Sequence, residues 1–396
     1  MAGLATIDEA LALVLEHVRA LEAEETALDV AAGRVLAGAA VAMIDLPPFP
    51  SSAMDGFALR SDETPGELVV VARIAAGDPS ALGLGAGEAM AISTGGAVPE
   101  GADAVAPVEL VEDCGSTVVV DTAVARNDYV RGRGSDLLAG EPVIAAGVRL
   151  GPAQLGALAA AGLTRVPCAR RPRVVLLVTG SELRDPGEPL GPGEIYDANG
   201  AILAAQATDA GAVVDRAAPA RDDRQALREV IEGGLEADVL VTTGGVSVGE
   251  HDLVRGILAE LGVEEVFWGV AVKPGKPIAF GVAGTTAVFG LPGNPVSLLV
   301  DFELFVRPAL LALQGLADPR PAFRPGRLAT ATRRDATRDA LLRARLRVEG
   351  DAVVLDPLVG QESHMIVRAA TAEALVLVPR GDGELAAGAP VRYLAL

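Results

Sequence analysis

The sequence is poor in cysteine, lysine and aromatic residues for a chain of 396 residues. Its two cysteines, Cys114 and Cys168, are too few for a disulfide framework, and the sequence contains no CxxC pair. Aromatic residues make up 3% of the chain, which excludes a surface that stacks nucleic-acid bases on aromatic rings. No run of about 18 apolar residues occurs, so the sequence predicts no membrane-spanning helix.

Positive charge is also scarce. The chain has 53 acidic and 33 basic residues, which gives a formal net charge of -20. Negative charge of this size repels nucleic acid and anionic membranes, so neither is an expected partner. The N-terminal segment MAGLATIDEALALVLEHV carries Asp8 and Glu9 where a signal peptide would carry basic residues. This feature predicts a cytoplasmic protein.

Lysine occurs at only two positions, Lys273 and Lys276, and both lie in the segment KPGK. The other 31 of the 33 basic residues are arginines. Two interpretations stay open: the lysines lie together by chance, or this turn needs compact ammonium groups rather than broad guanidinium groups. Pro274 and Pro277 flank the turn and would restrict its backbone.

The N-terminal part of the chain, residues 1–170, is predicted to form a region of its own. At ~150 residues per domain, the length of the chain predicts two or three domains in all. Helix is predicted over residues 1–45 and 151–170, with Thr6 as a cap for the first helix. Between them, residues 46–150 contain short apolar runs separated by Gly and Pro turns, a pattern typical of short strands.

The remainder of the chain predicts a central α/β domain followed by a small β domain. Across residues 173–317, continuous apolar runs such as RVVLLVTG alternate with helical segments. This alternation predicts a parallel sheet covered by helices on both faces, in three layers. Residues 322–396 contain short strand-like segments, which favour a small antiparallel β domain. The predicted fold class is therefore multidomain α/β plus β.

Glycine-rich loops follow two of the predicted parallel strands. Thr179 and Gly180 follow the first strand, whereas Gly244, Gly245 and Ser247 follow the strand DVLV. Ligands of open parallel sheets bind at the carboxyl ends of strands, and glycine lets backbone N–H groups approach a phosphate closely. The alternative interpretation is a pair of tight turns. No GxxxxGK[ST] motif occurs, and three histidines give no sign of a Ser–His–Asp triad.

Three carboxylates lie at predicted strand ends or helix starts of the same domain, namely Glu182, Asp222 and Asp252. Oxygen ligands at such an edge suit Mg²⁺, which commonly bridges a few carboxylates to substrate phosphates. Asp222 and Asp252 could equally serve as helix caps. Two further positions lie far away in sequence, Asp55 in SSAMDGFA and Thr94 in ISTGG, and either segment could be only a turn.

Taken together, these motifs resemble the molybdopterin molybdenumtransferase family of the MoeA type, which also includes the C-terminal part of gephyrin. The similarity covers nearly the whole chain, because the family's motifs occur here in order: SSAMDGFA, ISTGGAVPEGADAV, VTGSEL, GEIYDANG, TTGGVSVGEHD, KPGKP and LPGNPVS. The resemblance implies four structural regions and a homodimer. It also implies Mg²⁺-dependent transfer of molybdate onto the dithiolene sulfurs of adenylylated molybdopterin, with release of AMP.

The resemblance also implies roles for individual residues. Catalytic roles are expected for Asp55, Thr94, Lys273 and Lys276, and metal binding for Glu182, Asp222 and Asp252. Substrate binding is expected from the resemblance at Pro292, Pro295 and Ser363. Their place in the strand-end loops adds Thr179, Gly180, Gly244, Gly245 and Ser247 as expected substrate-binding residues. The sequence departs from the family where Ser181 replaces a frequent Asp, and GQESHMIVRAATAEAL, which contains Ser363, is only loosely similar.

The chemistry of the implied substrates agrees with the distribution of charge. The pterin and molybdate are both anionic, so an acidic protein must concentrate positive charge where they meet, and the lysine pair would do so. Transient contacts with a molybdopterin adenylyltransferase and with molybdoenzymes are expected. Two alternatives are a molybdopterin adenylyltransferase, which would need only the α/β part, and a scaffold or carrier for molybdopterin.

Overall fold

The computed structural model describes residues 4–217, 224–244 and 253–396. The chain begins with an amphipathic helix and two short strands: Ile7–His17 (α1), Ala23–Ala27 (β1) and Ala40–Val41 (β2), with a 3₁₀ turn at Leu28–Val30. Thr6 caps α1 as predicted, since its Oγ1 accepts a hydrogen bond from the Glu9 backbone N–H at 3.2 Å. The Glu9 carboxylate accepts one from the Thr6 N–H at 2.8 Å, which completes a capping box.

A β-rich region follows. Its strands are Ser51–Ser52 (β3), Gly56–Leu59 (β4), Gly66–Ile74 (β5), Glu88–Ile92 (β6), Ala104–Pro107 (β7), Val111–Asp113 (β8), Thr117–Val120 (β9) and Val130–Arg131 (β10). Six of them form one sheet in the order β7-β4-β6-β5-β9-β8. Phe57 and Leu59 are buried on one face of this sheet, and Met90 and Val105 on the other. The region therefore has two small cores of its own.

The chain then returns to the first region through Pro142–Ile144 (β11), Pro152–Ala160 (α2) and Arg165–Ala169 (β12). The predicted helix over residues 1–45 is wrong beyond His17, and the predicted helix over 151–170 is wrong for its last residues. Instead, β1 and β12 pair as antiparallel strands. The pairing buries Val166 and Cys168 against a core shared with α2, because alternate residues of a strand point to the same face.

The α/β domain contains these elements: Arg173–Val178 (β13), Leu183–Arg184 (β14), Ile195–Tyr196 (β15), Asn199–Asp209 (α3), Val213–Arg216 (β16), Arg224–Gly234 (α4), Val239–Thr243 (β17), Leu253–Glu260 (α5), Glu264–Trp268 (β18), Val272–Lys273 (β19), Ala279–Ala283 (β20), Thr286–Leu291 (β21), Pro295–Asp301 (α6), a π-helical segment Phe302–Val306, and Arg307–Leu313 (α7). Its main sheet has the order β16-β13-β17-β21-β20-β18. Helices α3, α6 and α1 contribute to one core, and α4 and α5 contribute to another.

One strand breaks the predicted parallel arrangement. β16, β13, β17 and β21 run parallel, but β20 is antiparallel to both of its neighbours. The reason is the length of its connection, because only Gly284 and Thr285 separate β20 from β21. A link this short closes a hairpin, whereas a parallel pair needs a long crossover. The sheet is therefore mixed.

Helix α1 packs on the α/β domain. Its buried face shares a core with the sheet and with the long helical run after β21: Ile7, Ala10, Leu11, Val14, Phe280, Phe289, Phe302 and Phe305. A bridge between Ala5 and Val270 fixes the start of the chain against the same domain. The first residues are therefore part of the α/β core, although the sequence analysis grouped them with the N-terminal region.

The C-terminal domain contains Arg324–Leu328 (β22), Thr332–Arg333 (β23), Asp339–Glu349 (β24), Ala352–Pro357 (β25), Ile366–Ala369 (α8), Ala374–Val378 (β26), Glu384–Leu385 (β27) and Pro390–Ala395 (β28). Five strands close into a small barrel, because β24 pairs with both β25 and β26. β19 of the α/β domain adds to this sheet, with Lys273 opposite Ala340. Within the described ranges, no helix is long and apolar enough to cross a membrane.

Candidate active site

The candidate site begins at the carboxyl ends of three adjacent parallel strands. The Thr179 backbone N–H donates to the Thr243 carbonyl oxygen at 3.0 Å, and its hydroxyl donates to the same oxygen at 3.3 Å. The Thr243 hydroxyl in turn donates to the Pro292 carbonyl oxygen at 3.1 Å. The loops after β13, β17 and β21 are therefore hydrogen-bonded in a row. Thr179 and Pro292, both predicted site residues, lie on this row.

Asn199 joins the same loops from the start of α3. Its Nδ2, as the amide is oriented here, donates to the Gly293 carbonyl oxygen at 2.8 Å and lies 3.3 Å from the Thr243 hydroxyl. One side chain thus connects the loops after β17 and β21. The sequence analysis missed this residue, although it lies in the motif GEIYDANG.

Glycine is required at the centre of these loops. Gly244 has a φ of +83°, and a Cβ atom there would lie 2.3 Å from the Thr179 carbonyl oxygen. Any other residue would push the two loops apart. Gly180, with a φ of +154°, also adopts a backbone conformation that favours glycine. The loop centres therefore present backbone rather than side chains, as the prediction for a phosphate site requires.

The KPGK turn lies at the same edge of the sheet. It joins β19 to β20, and the first residue of β20, Ala279, pairs with Gly290 near the carboxyl end of β21. The lysine side chains are exposed. Lys273 Nζ lies 3.5 Å from Asp335 Oδ2 of the C-terminal domain. Backbone hydrogen bonding from Thr337, with help from Arg338, holds the pKa of Asp335 well below its usual value, so this carboxylate stays ionised beside Lys273.

Asp55 and Thr94 form a second polar group in the β-rich region. Asp55 Oδ1 accepts hydrogen bonds from the Thr94 backbone N–H at 2.7 Å and from the Thr94 hydroxyl at 3.1 Å. Gly56 brings the strand close to its neighbour, since a Cβ there would lie 2.2 Å from the Ala106 carbonyl oxygen. Both side chains are exposed, and among the described residues neither forms a hydrogen bond to the α/β domain.

Ser363 lies on a C-terminal loop that contacts the α/β domain. Its carbonyl oxygen accepts a hydrogen bond of 3.1 Å from the backbone N–H of Val296, next to Pro295. A buried arginine organises this loop. Arg343 is 1% exposed and donates to Gln361 Oε1 and to the carbonyl oxygens of Gly360, Glu362 and Met365. The sequence analysis did not identify Arg343, because an arginine within LLRARL suggests an exposed position on a strand.

Three family profiles match the chain. They are described as the MoeA N-terminal region (domain I and II) over residues 5–162, a probable molybdopterin binding domain over residues 175–312, and the MoeA C-terminal region (domain IV) over residues 325–396. Molybdopterin molybdenumtransferase 2 of Mycobacterium tuberculosis is 37% identical over 405 residues, covering 97% of each chain. The chain belongs to the molybdopterin molybdenumtransferase family.

Other relatives agree with this assignment. Molybdopterin molybdenumtransferase of Staphylococcus epidermidis is 32% identical, over 91% of this chain and 88% of that protein. A crystal structure of a molybdopterin biosynthesis MoeA protein from Pyrococcus horikoshii superposes with a TM-score of 0.82 and 32% identity over 99% of both chains. The resemblance identified from the motifs is confirmed, and so is the predicted combination of an α/β domain with a small β domain.

The predicted magnesium ligands are only partly described in this MoeA family member. Asp222 and Asp252 lie outside the described residues, as do Gly245 and Ser247 of the substrate loop. Glu182 is exposed, and its carboxylate oxygens would lie 2.7 Å from a Cβ on Gly180. Within the described ranges no group of three or more His, Cys, Asp or Glu side chains could hold a metal ion. Glu182 forms no ion pair with the other described residues.

Proposed function

We propose that this chain transfers molybdate onto the dithiolene of adenylylated molybdopterin, with release of AMP. The observation that carries the proposal is the row of hydrogen-bonded loops at one sheet edge, with the chain's only two lysines at that same edge. Relatives with this domain organisation are named molybdopterin molybdenumtransferases. An adenylyltransferase or a pure carrier is less well supported, because those relatives match the chain over nearly its whole length.

The reaction is a substitution without a change of oxidation state. Two molybdenum–sulfur bonds form as molybdenum–oxygen bonds break, and the displaced oxygens leave as water after taking up protons. The phosphoanhydride of the pterin is cleaved, and an oxygen from water or molybdate completes the new phosphate. Each reactant is anionic, so repulsion between them is the barrier that the site must lower.

The residues of the site would divide this work. The glycine loops at Gly180 and Gly244 would offer backbone N–H groups to the phosphates. Lys273 and Lys276 would supply compact positive charge to the pterin phosphate and to molybdate. Glu182, with Asp222 and Asp252, is proposed to hold Mg²⁺, which when bound would neutralise charge on the phosphoanhydride.

Asp55 and Thr94 are proposed to complete the site from a second subunit. They share one end of the β-rich sheet, and no described hydrogen bond links them to the α/β domain of their own chain. Asp55 Oδ1 is engaged by Thr94, which leaves Oδ2 to orient a substrate group or accept a proton. The proposed assembly is therefore a homodimer with composite sites. A cytoplasmic location and transient contacts with an adenylyltransferase and with molybdoenzymes belong to the same proposal.

The activity is tested by incubating the purified chain with adenylylated molybdopterin and following AMP. We expect molybdate to stimulate AMP release, EDTA to abolish it, and added Mg²⁺ to restore it. The product should activate a molybdenum-free acceptor enzyme. AMP release that is unaffected by molybdate at every concentration would contradict the proposed reaction. Full activity in EDTA would show that the reaction does not need Mg²⁺.

The composite site is tested by mixing two inactive dimers. Asp55→Ala and Lys276→Ala subunits, exchanged to form heterodimers, should recover part of the activity because one site of each heterodimer is intact. Asp113→Ala is the matched control, because Asp113 also accepts a backbone hydrogen bond in the β-rich region, from Gly115 at 2.8 Å. It should leave activity unchanged. Heterodimers without recovered activity would place the site within one subunit, and a monomeric protein would exclude the composite site.

A further inference from the structure

Asp301 is a buried carboxylic acid without a polar partner. It is the last residue of α6, it is 0% exposed, and neither of its oxygens has a hydrogen-bond partner in the part of the chain that the structure describes. Burial raises the pKa of this carboxyl well above its usual value, which favours its uncharged form. An unpartnered polar group in a core lowers stability, and an apolar side chain would pack there at less cost. Core packing alone therefore does not explain an aspartate at this position.

The carboxyl of Asp301 lies directly against the lysine-bearing turn. A Cβ atom on Gly275, which lies between the two lysines in sequence, would lie 2.0 Å from Oδ1, 2.7 Å from Cγ and 2.9 Å from Oδ2. The carboxyl thus occupies the volume that a side chain at position 275 would need. Gly275 has a φ of +117°, a backbone conformation that other residues rarely adopt. The backbone of the turn at Gly275 and the side chain of Asp301 are therefore closely packed.

We propose that Asp301 is a positioning residue for the substrate-binding turn. Its carboxyl fills the space next to Gly275 and so holds Lys273 and Lys276 in place. The inference rests on the proposed role of the lysines in binding the anionic pterin. Asp301 does not hold the turn through an ion pair with either lysine, because both lysine side chains are exposed and Asp301 is fully buried. A short, planar carboxyl can instead contact the backbone CH groups of glycine, and no Cβ intervenes.

The scarcity of lysine provides a direct probe of the turn. Because Lys273 and Lys276 are the only lysines, labelling lysine with ¹³C at Cε alone gives two side-chain NMR signals, both from this turn. We expect Asp301→Ala to shift or broaden both signals and to weaken binding of adenylylated molybdopterin by about fivefold to tenfold. Its melting temperature should stay near or above that of the wild type, because an unpartnered carboxyl is removed. Asp301→Asn keeps the shape and should keep both signals and the affinity.

Two further variants separate positioning from a general effect on the core. Leu203→Ala, in the same core but on α3, should lower the melting temperature while leaving both lysine signals and the affinity unchanged. Gly275→Ala should weaken pterin binding, and adding Asp301→Ala should restore part of it because the overlap is removed. If Asp301 had only a structural role, Asp301→Ala would not lower the affinity for the pterin while leaving the melting temperature undiminished.

The outcomes also separate this inference from the proposed function. If Asp301→Ala leaves both lysine signals and the affinity at wild-type values, or if Leu203→Ala moves them equally, Asp301 does not position the turn. If Lys273→Ala and Lys276→Ala both bind the pterin like the wild type, the proposed role of the lysines fails. The two NMR signals would still report whether Asp301 holds the turn.

Discussion

The carbonyl oxygen of Ser363 accepts a hydrogen bond of 3.1 Å from the backbone N–H of Val296, and this contact connects the C-terminal barrel to the candidate site. Val296 follows the segment LPGNP, whose Pro292 carbonyl oxygen lies on the row of bonded strand-end loops. A second connection is the ion pair between Lys273 and Asp335. The ion pair reaches the predicted site residue Lys273, and the hydrogen bond reaches the residue that follows the predicted site residue Pro295. The C-terminal barrel therefore contacts the α/β domain next to the candidate site.

Arg343 should therefore matter for activity although it is buried away from solvent. Arg343→Ala removes the donors to the loop that contains Ser363 and leaves several carbonyl oxygens without partners. We expect a loss of about 3 kcal/mol in the free energy of unfolding, together with weaker pterin binding, measured by urea denaturation and steady-state kinetics. Arg345→Ala is the control, since Arg345 is exposed on the same strand. Equal effects of the two variants would contradict the assigned role.

Asn199 is expected to control the spacing of the strand-end loops. Asn199→Asp replaces the amide donor by a carboxylate facing the Gly293 carbonyl oxygen, so repulsion replaces a hydrogen bond. It should therefore lower kcat/KM by about tenfold or more, and further than Asn199→Ala does. Gln206→Ala is the matched control, because Gln206 on the same helix also donates to a backbone carbonyl, that of Leu299, at 3.2 Å. Wild-type kinetics for Asn199→Asp would show that the bridge is dispensable.

The lysine turn should reject arginine. A guanidinium is broad and planar whereas an ammonium is compact, and Pro274 and Pro277 restrict how far the backbone can adjust. Lys273→Arg and Lys276→Arg should each lose about tenfold in turnover, ~1.4 kcal/mol in the barrier. Thermal stability should barely change, since exposed cations contribute little to folding. Wild-type turnover in both variants would leave the clustering of the lysines as coincidence.

The sequence predicted those features of the site that depend on local patterns. Gly180 and Gly244 could be identified because each follows a continuous apolar strand, and the carboxyl ends of parallel strands meet at one edge. The antiparallel direction of β20 could not be predicted from its apolar run IAFGVA, because such a run fits a parallel or an antiparallel strand equally well. Only the two-residue link to β21 shows that the two strands form a hairpin. The helix predicted over residues 1–45 failed for a related reason. The segment at residues 23–27 becomes a strand by pairing with residues more than a hundred positions away.

Asn199, Arg343 and Asp301 show a different limit. The role assigned to each side chain depends on the backbone groups that it contacts in the folded protein. The residues next to it in the sequence do not indicate those contacts. Asp301 in particular lies within the segment LLVDFELF, which also contains Glu303, and an acid in such a helical segment suggests an exposed position. Only the contact with Gly275, 26 positions earlier in the chain, gives it an interpretation.

The protonation of Asp301 should make stability fall as pH rises. Its carboxyl has the usual pKa, 3.8, in the unfolded chain and a much higher pKa in the folded protein. Above pH 3.8 the unfolded chain releases this proton while the folded protein keeps it, so ionisation favours unfolding. The loss begins near the unfolded pKa and continues until the folded pKa is reached.

Asp301→Asn removes the ionisable carboxyl. The stability of this variant relative to the wild type should therefore increase as pH rises. The difference should grow by about 1.4 kcal/mol for each pH unit in which only the unfolded chain is ionised. Urea denaturation of both proteins at several values from about pH 4 to pH 8 measures it, and groups that titrate in both cancel from the comparison. Asp382→Asn, which makes the same substitution at an exposed position, serves as the control. A stability difference between Asp301→Asn and the wild type that stays constant over this pH range would mean that the folded protein carries Asp301 ionised, which would contradict the raised pKa.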